Sequence, residues 1–98
     1  MIPYFEWDLE KAASNRRKHG VSFEEGASVF GDDAAVIDRD VTHADEEDRF
    51  IIVGVSDHER MIMTVFTFRR EDTVRIISSR RATPHGRRAY EQKKRSRR

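Results

Sequence analysis

The chain has no cysteine among its 98 residues. Disulfide staples and thiolate metal centres are therefore excluded, which fits a reducing compartment. No apolar run approaches the length of a membrane span, and the opening residues MIPYFEWDLE lack the apolar stretch of a signal peptide. A soluble, cytoplasmic protein is expected. There is no glycine-rich phosphate loop and no Gly-x-Ser-x-Gly nucleophile elbow. His19, His43, His58 and His85 include no pair at the spacing of a helical zinc motif, so neither a metal nor a cofactor is expected. The chemistry that remains needs only positioned charge and a proton acceptor.

Charge is abundant, and it is unevenly placed. The net charge is +1, yet residues 1–48 carry 5 Lys/Arg against 13 Asp/Glu, and residues 49–98 carry 14 against 5. A folded chain can interleave such halves and cancel the field. The clustering of arginines towards the C-terminus favours instead a basic face for a nucleic acid, with the acidic face elsewhere.

Ninety-eight residues make one domain with a single modest core. Tyr4 to Trp7 alternate like a short edge strand, and Asp8 can N-cap a helix over 9–18 that Gly20 stops. Ser22-x-x-Glu25 reads as a capping box: Ser22 covers the Glu25 amide and Glu25 reaches back. A second helix over 23–30 follows, burying Phe23, Ala27 and Phe30. Strands are predicted over 35–38, 49–56, 61–69 and 73–81, with an acidic loop at 39–48. The last three are joined by turns short enough for an antiparallel meander. Thr83 then caps a short C-terminal helix with Pro84 at its first position, and 92–98 reads as a frayed or disordered basic tail. The order predicts an α+β domain, with two N-terminal helices packed on an antiparallel sheet.

The stretch TVRIISSRRATPHGRRAYE, from Thr73 to Glu91, is the most telling. Arginines at the exit of a strand are held rigidly, and a rigid guanidinium fork suits phosphate. Strict alternation over 73–81 puts Val74, Ile76, Ser78 and Arg80 on one face, and Arg75, Ile77, Ser79 and Arg81 on the other. Arg69 and Arg75 flank one turn, whereas Arg80 and Arg81 sit at the opposite strand end. Which of them converge is left open. On the first helix, Lys11, Asn15 and Lys18 or His19 form one polar stripe. It either faces solvent or brings Lys18 to a phosphate and His19 to a proton transfer.

RNA cleavage by its own 2′-hydroxyl matches these means. The protein must orient the backbone, stabilise the pentacovalent phosphorus and move two protons.

The sequence resembles the BrnT family. Phe5-Glu6-Trp7-Asp8, Lys11, Asn15, Lys18 to Glu25 and Val29-Phe30 are similar to the family's opening. Asp40, His43, Glu47, Arg49-Phe50 and Val53-Gly54 match its middle. Arg75 to Ser78, Arg80, Ala82-Thr83, Arg87 and Tyr90-Glu91 match its end. Four positions depart from the pattern: Asp33, Ala44, Ser79, where alanine is common, and Gly86, where glutamate would complete a capping box. The resemblance implies a RelE-like fold and the toxin of a type II toxin–antitoxin pair. Such a toxin is a ribonuclease that blocks translation. It is neutralised by a BrnA antitoxin that also binds operator DNA through a ribbon-helix-helix domain. Carried over by residue, it implies Arg80 and Arg69 at the scissile phosphate, with His19 as a further catalytic candidate. Lys18, Arg75, Arg81, Arg87 and Tyr90 are the candidates for RNA binding. Lys18-His19 also has a structural reading, as a helix end packed on the sheet, and Tyr90 has one as an anchor for the last helix. A non-catalytic nucleic-acid-binding module, or an inactive toxin homologue, is the alternative to an endoribonuclease.

Overall fold

A computed structural model describes residues 3–40 and 48–96. The elements are β1 (Tyr4–Glu6), α1 (Leu9–His19), α2 (Phe23–Ser28), β2 (Val36–Arg39), β3 (Phe50–Val55), β4 (Met61–Arg70), β5 (Thr73–Arg81) and α3 (Pro84–Ser96). A single 3₁₀ turn, Val29–Gly31, ends the α2 segment. The α+β architecture is as expected. The acidic loop expected over 39–48, with His43, lies largely outside the described residues.

Local chemistry sets the helix ends. Asp8 accepts from the Lys11 amide at 3.0 Å, and Gly20 closes α1 in the left-handed region at φ 69°, its N–H donating to Arg16. Ser22 accepts from the Glu25 amide at 3.0 Å, which is half of the expected capping box. The other half does not form, because the Glu25 carboxylate turns away to Arg60 and Ser56.

The strands lie in the order β1-β5-β4-β3-β2. β2 to β5 form the antiparallel meander, and β1 joins the edge parallel to β5, pairing Phe5 with Val74. α1 and α2 cover one face of the sheet. Between them and the strands lies the core of Val21, Phe23, Val29, Ile52, Ile62, Phe66, Val74 and Ile76. Phe30 meets Phe5 and Phe66 edge-on, at 5.2 and 4.9 Å between ring centres. α3 packs on the other face chiefly over β3 and β2, and Arg80 at the end of β5 stays exposed on that face. It runs through Ser96, so the basic run read as a frayed tail is helical as far as that residue.

Among the described residues no helix is long and apolar enough to cross a membrane.

Candidate active site

A bulge decides which way the arginines of β5 point. Val65 pairs with Ser78 and Phe66 with Ile76, so Ile77 is an extra residue without a partner on β4. Beyond it the side chains alternate out of phase with the strict pattern. Ser79, not Arg80, continues the buried row of Val74 and Ile76: it is fully buried, with its hydroxyl 3.0 Å from that of Thr64. Arg80 therefore turns away from α1 and α2, which corrects the face assigned by alternation. Arg75, Ser78 and Arg80 now share the face opposite α1 and α2 with Met63, Val65 and the buried Thr67, whose hydroxyl donates to the Asp48 carbonyl at 2.6 Å. Arg81, opposite Ile62, turns to the helix side. The two adjacent arginines diverge.

Arg80 lies in one cross-strand row with Met63 and Val53. Gly86 of α3 sits directly on Val53, where an added Cβ would lie 3.4 Å from Val53 Cγ2. Two strand spacings, about 10 Å, thus separate the Arg80 strand from the line of α3. The result is a trough with Met63 and Val65 as a half-buried floor, α3 as one wall and the exposed Arg80 at its rim. Among the described residues no ion pair occupies the Arg80 guanidinium.

The outer edge of β5 is closed differently. β1 pairs with it only as far as Arg75. Further on, the side-chain amide of Asn15 takes the place of a strand: Nδ2 donates to the Ser79 carbonyl at 2.7 Å, and the Ser79 N–H donates to Oδ1 at 3.1 Å. Nδ2 also donates to the Val21 carbonyl at 3.0 Å. This bond set fixes the last turns of α1 against β5. An open groove of ≈ 230 Å³ lies between them, lined by Lys11, Ser14, Lys18, His19, Ile77 and Ser78. Lys18 and the half-buried His19 are thus brought beside Ser78, on the same strand face as Arg80. Sequence reasoning counted Asn15 as part of a polar stripe and as one position of the family resemblance, without a structural role. Its partner Ser79 is on another element, and nothing local announces it.

Arg69 is elsewhere. It lies six residues along β4 from Met63, the partner of Arg80, or roughly 20 Å. The two do not meet at one phosphate, and the expected pairing of Arg69 with Arg80 is corrected accordingly. Arg69 and Arg70 each approach the Glu6 carboxylate to 3.7 Å, and Arg75 donates to it at 2.8 Å. Arg87 is exposed on α3. Tyr90 is buried, at 3% exposure, and its hydroxyl donates to Asp32 at 2.8 Å. Burial, then the bond to the Asp32 carboxylate, pushes its pKa up to about 12. Tyr90 anchors α3 and offers no ring face to a base. Asp32 also accepts from the amides of Val55 and Ala34. Burial opposes its charge, yet these bonds hold the carboxyl below its ordinary range.

A second cluster escaped the sequence reading altogether. The Glu25 carboxylate is buried and accepts from both Nε and Nη2 of Arg60 and from the Ser56 hydroxyl, with His58 Nδ1 3.3 Å away. The Arg60 bond, against the cost of burial, brings Glu25 down to about 2. Arg60 also donates to the Gly20 carbonyl, so the β3–β4 turn is tied to the end of α1. The turn itself holds Glu59 at φ 58°.

The model of a family described as the ribonuclease toxin BrnT of a type II toxin–antitoxin system matches residues 7–85. The chain belongs to the BrnT family. It is therefore a member of a family of ribonuclease toxins, for which an antitoxin is the partner. The 1.1 Å crystal structure of the Brucella abortus ribonuclease toxin, BrnT, has a similar fold, with a TM-score of 0.65 at 22% identity. That match covers 83% of this chain and 97% of the Brucella protein. No curated protein sequence matches the chain.

Proposed function

We propose that this BrnT-family chain is a metal-independent endoribonuclease whose reacting centre lies at the exit of β5, between the trough and the α1 groove. The observation that carries this reading is the bulge at Ile77, which sets Arg80 on the same strand face as Ser78, a residue that also lines the α1 groove with Lys18 and His19. The substrate's 2′-hydroxyl attacks the adjacent phosphorus, the bond to the 5′-oxygen breaks, and a 2′,3′-cyclic phosphate and a 5′-hydroxyl end result. Arg80 binds the non-bridging oxygens and offsets the charge that grows on them. His19 accepts or returns a proton, and Lys18 holds a neighbouring phosphate. Arg75, on the same face about 13 Å along the sheet, and Arg81 and Arg87 at the margins contribute phosphate contacts of lower consequence. Arg69, tied up with Glu6, orders that end of the sheet.

In the cell this cleavage blocks translation in the cytoplasm. A BrnA-type antitoxin of ribbon-helix-helix class neutralises it by lying over the trough, and the pair binds operator DNA.

Growth of cells expressing the chain without antitoxin tests the assignment. Arg80→Ala is expected to relieve the growth arrest while the purified variant keeps the wild-type melting temperature and antitoxin binding. An equally toxic, folded Arg80→Ala would remove Arg80 from the site.

A further inference from the structure

The helix that walls the trough carries charge well beyond what its docking uses. α3 meets the sheet along one stripe: Gly86 on Val53, Tyr90 on Asp32, and Lys93, whose ammonium donates to the Ala35 carbonyl at 3.3 Å. Gly86 and Tyr90 are its only buried residues, and every residue from Glu91 to Ser96 is exposed. At 100° per residue, Arg88 and Arg95 fall on the side away from the sheet, while Arg87 and Lys94 form a flank. Each pair is spaced i, i+7, so its members stand about 10 Å apart along the axis. Arg88 and Arg95 line an open groove with Gln92 and Ser96. Only Glu91 opposes these four cations on the helix, and among the described residues no ion pair joins it to any of them.

The cations of each row stand two turns apart, and a counter-chain of regularly spaced anions can meet them in register. The wall stands about 10 Å from the Arg80 strand on the same sheet face, so one polyanion can run from Arg80 onto α3. An acidic protein would have to match individual guanidinium positions, whereas a phosphodiester chain supplies a charge at every nucleotide.

We propose that two cation rows of α3, the outward Arg88–Arg95 and the flanking Arg87–Lys94, whose Lys94 ammonium lies 5.9 Å from the Tyr90 ring centre, form a second phosphate-binding surface for the RNA strand that occupies the Arg80 site. This surface reads no base. It extends the protein's footprint on the RNA and makes binding depend steeply on salt. The proposal rests on the ribonuclease reading above, and the experiment separates the two.

A fluorescent RNA of 20 nucleotides, 2′-O-methylated throughout so that it cannot be cleaved, is titrated with protein over a series of KCl concentrations. A trinucleotide of the same chemistry is titrated in parallel. The variant is R88Q/R95Q, with both positions exposed, and its thermal melt is recorded beside the wild type. The expected result is a log K against log [KCl] slope shallower by about 1.4 for the 20-mer, at roughly 0.7 for each phosphate no longer neutralised. The trinucleotide slope should not change. An unchanged 20-mer slope in a folded variant would overturn the proposal. So would unchanged RNA binding accompanied by weakened binding of the antitoxin, which would assign the surface to an acidic protein. Failure of the wild type to cleave any unmodified RNA would count against the ribonuclease reading alone, because the slope is read without cleavage.

Discussion

At the scale of single residues, the fold turns on a few close approaches between distant parts of the chain. Gly26 of α2 lies so near β5 that an added Cβ would fall 1.9 Å from Ser79 Oγ, 2.8 Å from Ser79 Cβ and 2.9 Å from Thr64 Oγ1. These neighbours are fully buried and have nowhere to retreat. Gly26→Ala is therefore expected to destabilise the protein by about 3 kcal/mol in urea denaturation, at the high end for overpacking. Adding Ser79→Ala should recover only part of that stability, since Ser79 Cβ and the Thr64 hydroxyl still obstruct the new methyl. Full recovery would show that the hydroxyl alone sets the spacing. Ser79 was legible as a departure from a common alanine, but its burial was not. The reason is that Gly26 and Asn15, which enclose it, meet β5 only in the folded state.

At the scale of elements, the boundaries of strands and helices were largely legible and their phase was not. Alternation predicted a strand over 61–69, and β4 spans Met61–Arg70. It also set Arg80 beside Val74 and Ile76, and there the single extra residue Ile77 inverted the answer. Ile77 lies among β-branched and small residues that suit a regular strand equally well, so nothing in their identity marks a bulge. The helix ends followed their caps, except where Glu25 had a stronger partner than its own N-terminal amide. That partner has a measurable consequence. The folded-state pKa of Glu25, about 2, lies below its ordinary value of 4.5. Its contribution is therefore complete above about pH 4.5 and fades as pH falls towards 2. Chemical denaturation across that window should show stability falling by about 3 kcal/mol in the wild type. Glu25→Gln should be less stable at pH 7 and flatter over the same range. A Glu25→Gln profile parallel to wild type would mean that other carboxylates carry the acid sensitivity. α3 offers a separate test. Tyr90→Phe removes the bond to Asp32 and leaves a half-buried carboxylate with one partner fewer, at a cost of about 1 kcal/mol. Amide exchange of α3 should then quicken more than that of β4 and β5.

At the scale of the whole molecule, the charge asymmetry visible in the sequence becomes a division of labour. The first half, acidic as a whole although α1 carries Lys11, Arg16, Arg17 and Lys18 against Glu10, supplies α1, α2, β1 and β2, while the basic second half supplies β4, β5 and α3, which frame the trough. The general character of that face was legible from composition, because the arginines cluster late in the chain. The assembly of the site was not. The pairing of Arg80 with Arg69 failed on a separation of roughly 20 Å along β4, a distance that sequence order does not contain. The approach of Lys18 and His19 to Ser78 depends on a buried Asn15 amide that looked like one more surface residue. The site is thus built from two halves of the chain, joined by the strand edge that Asn15 covers. Its central claim is that Arg80, at the exit of β5, acts on the phosphate that is cut. Purified, antitoxin-free protein incubated with end-labelled single-stranded RNA in EDTA, beside Arg80→Ala, tests this most directly. The expected result for the wild type is a set of discrete fragments ending in 2′,3′-cyclic phosphate. The folded variant should cleave at least a hundredfold more slowly, on the order of the effect of removing one charge that stabilises the transition state. Fragments that disappear when EDTA is present would contradict the metal-independent reading, and cleavage at an undiminished rate by Arg80→Ala would contradict the role of Arg80.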